Sequence, residues 1–337
     1  MKTLLLSAAA LLAGACAASA APPELKLVST EKIWDAAPHN AFTDLIKWRG
    51  EFYCGFREGR GHVSTDGKIR ILRSAGGSGW ESAAVVSKAG HDLRDAHLCA
   101  MPGGKLMLVG GICRRAKDGE SAPTGSFVAF SEDGKTWTDP QIVSEFGRWL
   151  WAVQWHGDTG YGVAYGGKAP DGKWLPSSLL ATKDGIAYEP LAADFLAAGR
   201  GTEAVVRFDA KSGRALCLHR RDGNPNSAFL GTADAPYRDW QWIDLGHYFG
   251  GPNLIQLPSG DWIGAGRKIE SGKAKTCLIG IDPTTGKSTP LLDVPSGGDT
   301  SYPGLVIDGE TLWMSYYSSH EGKTSIYLAK IGIGAKK

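Results

Sequence analysis

The chain has 337 residues with 37 basic and 35 acidic groups, a net charge of +2. That balance argues against a duplex nucleic-acid binder, which neutralises phosphates with a basic excess. Hydrophobic residues at 42% and charged residues at 21% allow a large core and exclude intrinsic disorder. Beyond the N-terminus no apolar run is long enough to span a membrane.

Residues 1–20, MKTLLLSAAALLAGACAASA, have a lysine, an apolar stretch and small residues at Ala18 and Ala20. This is the layout of a cleaved signal peptide, with Ala21 as the first mature residue and export to a periplasm or beyond. Lipid attachment through Cys16 is the less favoured route, because Ala13 stands where leucine is usual. Residues 21–337 are then read as one domain. Cys54, Cys99, Cys113, Cys217 and Cys277 are odd in number and widely spaced. They suit neither a disulfide framework nor a zinc site and read as small buried side chains.

The remaining chain is a succession of short alternating apolar runs broken by Gly, Asp, Pro and Asn. This pattern predicts short antiparallel strands joined by tight turns. The run LKLVSTEKIW at 25–34 comes first and belongs to no local hairpin. A unit of four strands then recurs. It reads HNAFTDLIKWRGEFYCGFREG with HVSTDGKIRIL, then DLRDAHLCAMPGGKLMLVGGICRR with SFVAFSEDGKTW. WLWAVQWHGDTGYGVAYGG with SSLLATKDGIAYEP follows, then GTEAVVRFDAKSGRALCLHRR with SAFLGTADAPYRDWQWI. The last two are GGPNLIQLPSGDWIGAGRK with KTCLIGIDPTTGKSTPL, and DTSYPGLVIDGETLWMSYYSSHEG with TSIYLAKI. AADFLAAG, near 192–199, is read as one helical turn at most.

The six units begin near 40, 92, 148, 200, 248 and 298. A period of about 53 residues is the size of a four-stranded propeller blade. The fold predicted is all-β, a six-bladed β-propeller. The last unit is one strand short, and 25–34 can complete it, closing the ring without an exposed edge.

The turn Ser131-Glu132-Asp133-Gly134-Lys135-Thr136-Trp137 has a hydroxyl and a carboxylate that can bond the turn backbone. Ser64-Thr65-Asp66-Gly67 and Thr182-Lys183-Asp184-Gly185 read as weaker copies, all placed between third and fourth strands. First strands start, and second strands end, on the opposite face. A site on the axis therefore draws on those positions. Second-strand ends supply Arg57-Glu58, Arg114-Arg115, Arg220-Arg221, Arg267 and His320-Glu321. First-strand starts supply His39, Asp44, Arg94-Asp95, Trp149, Trp151, Glu203, Asn253 and Tyr302. Arginines converging from several blades suit a carboxylate, which a planar guanidinium grips bidentately.

The Asp-box (BNR) turn, the repeat and these arginines together resemble the sialidase (neuraminidase) superfamily over the mature chain. CGFREG looks like its first arginine motif, which would make Arg57 a carboxylate ligand. GRGTEAVVRF followed by ALCLHRR implies Glu203 as the acidic partner of the nucleophile, with Arg220 or Arg221 as the second arginine. Arg267 would be the third, and DTSYPGL makes Tyr302 the nucleophile. Counting back six from Ser64 gives Glu58 as the general acid, with His62 or Asp44 as substitutes. Asp95 matches a substrate-recognising aspartate, and Asp44, His39 and His320 complete the binding set. The resemblance implies a cofactor-free, metal-free exo-glycosidase. It would release a terminal acidic, sialic acid-like sugar from a glycan or glycoconjugate with retention, acting as a monomer. The missing Ile-Pro of the arginine motif and Pro303 after Tyr302 leave the sugar open. A non-catalytic acidic-carbohydrate binder, or a uronate-active glycosidase or lyase, are the alternatives.

Overall fold

A computed structural model describes residues 22–334. The expected leader, its expected cleavage site and Cys16 lie outside the described residues. Strand β1 (Leu25–Trp34) precedes six four-stranded units. Blade 1 comprises β2 (His39–Trp48), β3 (Glu51–Gly59), β4 (Lys68–Ser74) and β5 (Glu81–Val86). Blade 2 comprises β6 (Asp92–Ala100), β7 (Leu106–Cys113), β8 (Thr124–Ser131) and β9 (Gln141–Ile142). Blade 3 has β10 (Trp149–His156), β11 (Thr159–Tyr165), β12 (Ser177–Thr182) and β13 (Glu189–Leu196). Blade 4 has β14 (Arg200–Phe208), β15 (Ala215–Asp222), β16 (Phe229–Ala233) and β17 (Gln241–Asp244). Blade 5 has β18 (Gly250–Gln256), β19 (Trp262–Glu270), β20 (Lys273–Ile281) and β21 (Ser288–Asp293). Blade 6 has β22 (Thr300–Asp308), β23 (Thr311–Ser318) and β24 (Ser325–Ile333).

Each unit is one antiparallel sheet in chain order, and β1 is the fourth strand of blade 6. It pairs with β24 from Leu25 opposite Ile333 to Trp34 opposite Ile326. The N-terminal strand thus closes the ring, as the orphan run predicts. No helix among the described residues is long and apolar enough to cross a membrane.

The core is divided into layers between neighbouring blades. Ile69, Ile71 and Val86 of blade 1 meet Leu93, Leu106 and Leu108 of blade 2. Ile263 and Leu278 of blade 5 meet Leu312 and Tyr316 of blade 6. Inner strands are buried on both faces, so LMLVGGIC of β7 is a continuous buried run rather than an alternating one. Gly110 within it is required by space. A Cβ there would lie 2.8 Å from the Arg94 carbonyl oxygen and from the Phe127 ring. All five described cysteines are buried and unpaired.

One irregularity recurs in all six innermost strands. In β2, Ala41 faces Arg57 and Asp44 faces Gly55, so two residues of β2 oppose one of β3. The same slip falls between Arg94 and His97, Leu150 and Val153, Gly201 and Ala204, Gly250 and Asn253, and Ser301 and Gly304. These are β-bulges, which bend the strand and re-aim a side chain. Phe42, Asp95, Gly251 and Tyr302 occupy the first bulge position with φ of 62°, 53°, 54° and 51°.

Two sequence expectations are corrected. AADFLAAG does not make a helical turn, because most of it continues β13 opposite β12. Ser64-Thr65-Asp66-Gly67 lies between β3 and β4, not between third and fourth strands. His62 and Val63 before it are too short a run to form the strand assumed there. The other two turns are as expected. Ser131 Oγ accepts the Gly134 amide at 2.8 Å, and Asp133 Oδ1 accepts the Lys135 and Thr136 amides. Thr182 and Asp184 repeat this geometry.

Candidate functional site

The bulged ends of the inner strands converge on the axis, and Tyr302 sits where they meet. Its ring lies 5.4 Å from Trp151 of blade 3, directly across the ring, and 5.3 Å from Phe42 of blade 1. Its hydroxyl donates to Glu203 Oε1 of blade 4 at 2.6 Å. Glu203 and Tyr302 are both bulge residues, so strand irregularity delivers both to one point.

Arg220 lies opposite the blade 4 bulge, between Arg221 and His219 in the β14–β15 register. Its Nη1 donates to both Glu203 oxygens at 2.7 Å, and its Nε donates to Asp222 at 2.9 Å. Arg267 Nη2 donates to the Tyr248 hydroxyl at 3.0 Å, and Arg220 lies 5.6 Å over the same tyrosine ring. Tyr248 therefore bridges the two arginines. Arg94 donates its Nε to Asp95 Oδ2 at 3.1 Å and stacks 4.9 Å over Phe42. Its terminal nitrogens meet no protein acceptor among the described residues.

Burial raises the Glu203 carboxyl pKa, but the Arg220 charge and hydrogen bonds from Tyr302 and Arg220 hold it below the usual range. Burial, then the Glu203 and Asp95 charges, push the Tyr302 phenol well above its usual value against Arg220 and Arg267. The resting pair is a neutral phenol donating to an ionised carboxylate. Burial also raises Asp95, with Arg94 and His97 opposing.

The other expected site residues divide clearly. Arg57 is fully buried. It donates to Asp92 Oδ1 at 2.9 Å, to the Gly61 carbonyl at 2.8 Å and to Ser64 Oγ at 2.8 Å. It braces the β3–β4 loop and offers nothing to a ligand. Glu58 points away from Arg57, as strand alternation requires. It accepts from Trp34 Nε1 at 2.7 Å and Arg70 at 2.9 Å. It lines a depression on blade 1 with Pro38 and Lys68, apart from Tyr302. Arg221 is held by Ser227 and Asp244. Both Asp44 oxygens accept backbone amides, from Leu45 and Leu98. His320 bonds Ser318 and packs on Tyr327 in the β23–β24 loop. Of the arginine pair, Arg220 faces the axis, and Arg94 stands where Arg57 was expected.

His39 joins a cluster that sequence reasoning did not assemble. Asp299 Oδ2 meets His39 Nε2 at 3.0 Å and His62 Nδ1 at 2.7 Å, and Oδ1 accepts from the Tyr317 hydroxyl at 2.9 Å. Among the described residues this is the one group of His and carboxylate atoms close enough to suggest a metal. Its spacing is that of hydrogen bonds. A zinc ion at about 2.1 Å from each ligand would hold them roughly 3.4 Å apart. Asp299 opens the DTSYPGL run that marks Tyr302, and Tyr317 lies later in the same unit, but neither was singled out by residue type. Their signal is position alone, beside the first strand of blade 6 and at the end of its second.

The fold and site together define a six-bladed propeller with an arginine-rich axial site built around a tyrosine–glutamate pair. No protein-family model and no curated protein matches the sequence. Solved structures do. A protein of unknown function from Dyadobacter fermentans is 18% identical with a TM-score of 0.77, covering 93% of this chain and all of its own. Trypanosoma rangeli sialidase in complex with the inhibitor DANA is 12% identical with a TM-score of 0.63. That match covers 92% of this chain and 60% of the sialidase. The GH93 α-L-arabinofuranosidase of Fusarium graminearum, in complex with arabinobiose, is 14% identical with a TM-score of 0.64, covering 91% and 98%. The chain shares the propeller fold of these proteins.

Proposed function

We propose that the protein is an exo-acting glycoside hydrolase that releases a terminal acidic, sialic acid-like 2-keto sugar with retention. The observation that carries this reading is the 2.6 Å hydrogen bond from Tyr302 to a Glu203 already gripped by Arg220. A sugar whose anomeric carbon bears a carboxylate repels an anionic nucleophile, whereas a neutral phenol meets no such repulsion. Glu203 takes the phenolic proton as the Tyr302 oxygen bonds the anomeric carbon. Arg94, Arg220 and Arg267 surround that point and supply the positive field an acidic sugar needs. The sialidase neighbours support the acidic sugar, and the arabinofuranosidase neighbours support glycoside hydrolysis in general. The N-terminal leader supports export.

The test is a panel of aryl glycosides of acidic and neutral sugars, assayed with the wild type and Tyr302→Phe. The reading expects turnover of a 2-keto acid glycoside and retention of configuration. In Tyr302→Phe, kcat/KM should fall by roughly 10³-fold or more. Turnover confined to neutral furanosides or uronates would displace it.

A further inference from the structure

Retaining hydrolysis needs an acid for the leaving oxygen, and of the three groups the sequence offers for that role, Glu58 and Asp44 are already engaged. Glu58 is tied to Trp34 and Arg70. Asp44 is consumed by two amides. Asp95 faces Tyr302, but its unpaired Oδ1 is sealed from solvent. His62 differs from all three. Its side chain is 50% exposed. Its Nδ1 is engaged by Asp299, and its Nε2 carries no protein hydrogen bond among the described residues.

The surroundings fix that ring. Arg57 holds the loop on either side of it, through the Gly61 carbonyl and Ser64. The Gly119 amide donates to the Val63 carbonyl, and the Leu93 amide to that of Gly67. The His62 ring stands edge-on to Phe42 at 5.0 Å, and Phe42 stands edge-on to Tyr302 at 5.3 Å. Asp299 lies three residues before Tyr302, so one segment carries both the nucleophile and the partner of His62. Burial opposes ionisation of Asp299, but hydrogen bonds from His39 and His62, the His62 charge and the Tyr317 hydroxyl hold it ionised. A carboxylate on Nδ1 fixes the tautomer and the ring orientation and leaves Nε2 to face outward, the arrangement of a proton-transferring histidine.

We propose that His62 is the general acid and base of this site, with Asp299 its positioning residue; this rests on the glycosidase reading above. In the first step His62 Nε2 gives its proton to the glycosidic oxygen as that oxygen's bond to the anomeric carbon breaks. Tyr302 forms the new bond and its proton passes to Glu203. In the second step neutral His62 takes a proton from water, whose oxygen bonds the anomeric carbon. The bond to Tyr302 breaks, and Glu203 returns the proton to the tyrosine oxygen. Every group ends as it began. The leaving group then lies on the blade 1 side, beside the β3–β4 loop.

The experiment compares the wild type, His62→Gln, Asp299→Asn and Tyr302→Phe on two glycosides of the same sugar. One has an activated aryl leaving group and one an alkyl leaving group. General acid catalysis is worth roughly 10²–10⁴-fold. His62→Gln should lose that on the alkyl glycoside, should lose far less in bond cleavage on the aryl glycoside, and should lose the alkaline limb of the pH profile. Asp299→Asn no longer holds the ring with Nε2 turned outward, so it too should lose more on the alkyl than on the aryl glycoside. The other groups facing His62 are His39, Tyr317 and, across Phe42, Arg94; they stay unchanged. Equal losses on both glycosides, or an unchanged pH profile, would overturn the assignment while leaving Tyr302 in place. Loss of activity on chelation, restored by zinc, would also overturn it. A wild type that cleaves no glycoside, or a fully active Tyr302→Phe, would overturn the parent reading and this one with it.

Discussion

Arg57 and Arg267 occupy equivalent register positions, opposite Ala41 and Gly250, yet do different work. Arg57 is sealed against Asp92, whose second oxygen accepts from Arg115 at 2.9 Å. Arg57→Ala leaves Asp92 to Arg115 alone, removes the hydrogen bonds to the Gly61 carbonyl and Ser64 and empties a fully buried site, so it should cost about 3–5 kcal/mol of stability. Urea denaturation measures this. Arg267→Ala should instead keep the melting temperature and raise KM for an acidic substrate by roughly 10–100-fold, the worth of a charge-assisted contact. Steady-state kinetics measures that. The sequence shows the arginines but not this difference. Residue type and blade position are the same, and only the neighbours Asp92, Gly61 and Ser64, brought in by folding, separate the roles. Strand alternation does separate Arg220 from Arg221, since adjacent residues face opposite ways. Which of the two faces the axis depends on the bulge between Gly201 and Ala204, which has no sequence signature.

At the scale of the element, β15 joins the axial site to the blade 3–4 layer. His219, next to Arg220, is fully buried. Its Nε2 bonds Ser177 Oγ at 2.8 Å, and its Nδ1 meets the Arg220 carbonyl at 2.8 Å. Burial pushes its pKa down to about 4, against the Arg220 carbonyl and the Glu203 charge. A histidine depressed in the folded state takes its proton first in the unfolded state. Its contribution is full above about pH 6.5 and is lost as pH falls towards 4, on the order of 3 kcal/mol in all. His219→Gln should flatten stability over that window, leaving the steeper carboxylate-driven loss below it. Denaturation midpoints across pH 4–7 measure the slope. The strands themselves were legible from their turns. The Ser64 turn was misplaced because Ser-x-Asp-Gly specifies a turn, not which pair of strands it joins.

At the scale of the molecule, ring closure by β1 was legible as an orphan strand and an incomplete last blade. Only their joint reading reveals it, since β1 and β24 lie at opposite ends of the chain. Closure without a covalent link predicts that β1 is held as firmly as the blade it completes. Its amides should exchange with solvent at nearly the same free energy as those of β23 and β24. Exchange of β1 alone, several kcal/mol earlier, would mean the ring opens locally. The closed ring is what lets Tyr302 of blade 6 meet Trp151 of blade 3 and Glu203 of blade 4 on the axis. Covalent trapping tests that convergence most directly, using a fluorinated glycosyl fluoride of the sugar the glycoside panel identifies. Peptide mass spectrometry should find one adduct, on Tyr302, absent in Tyr302→Phe. An adduct on any other residue, or none from an enzyme that turns the sugar over, would contradict the account.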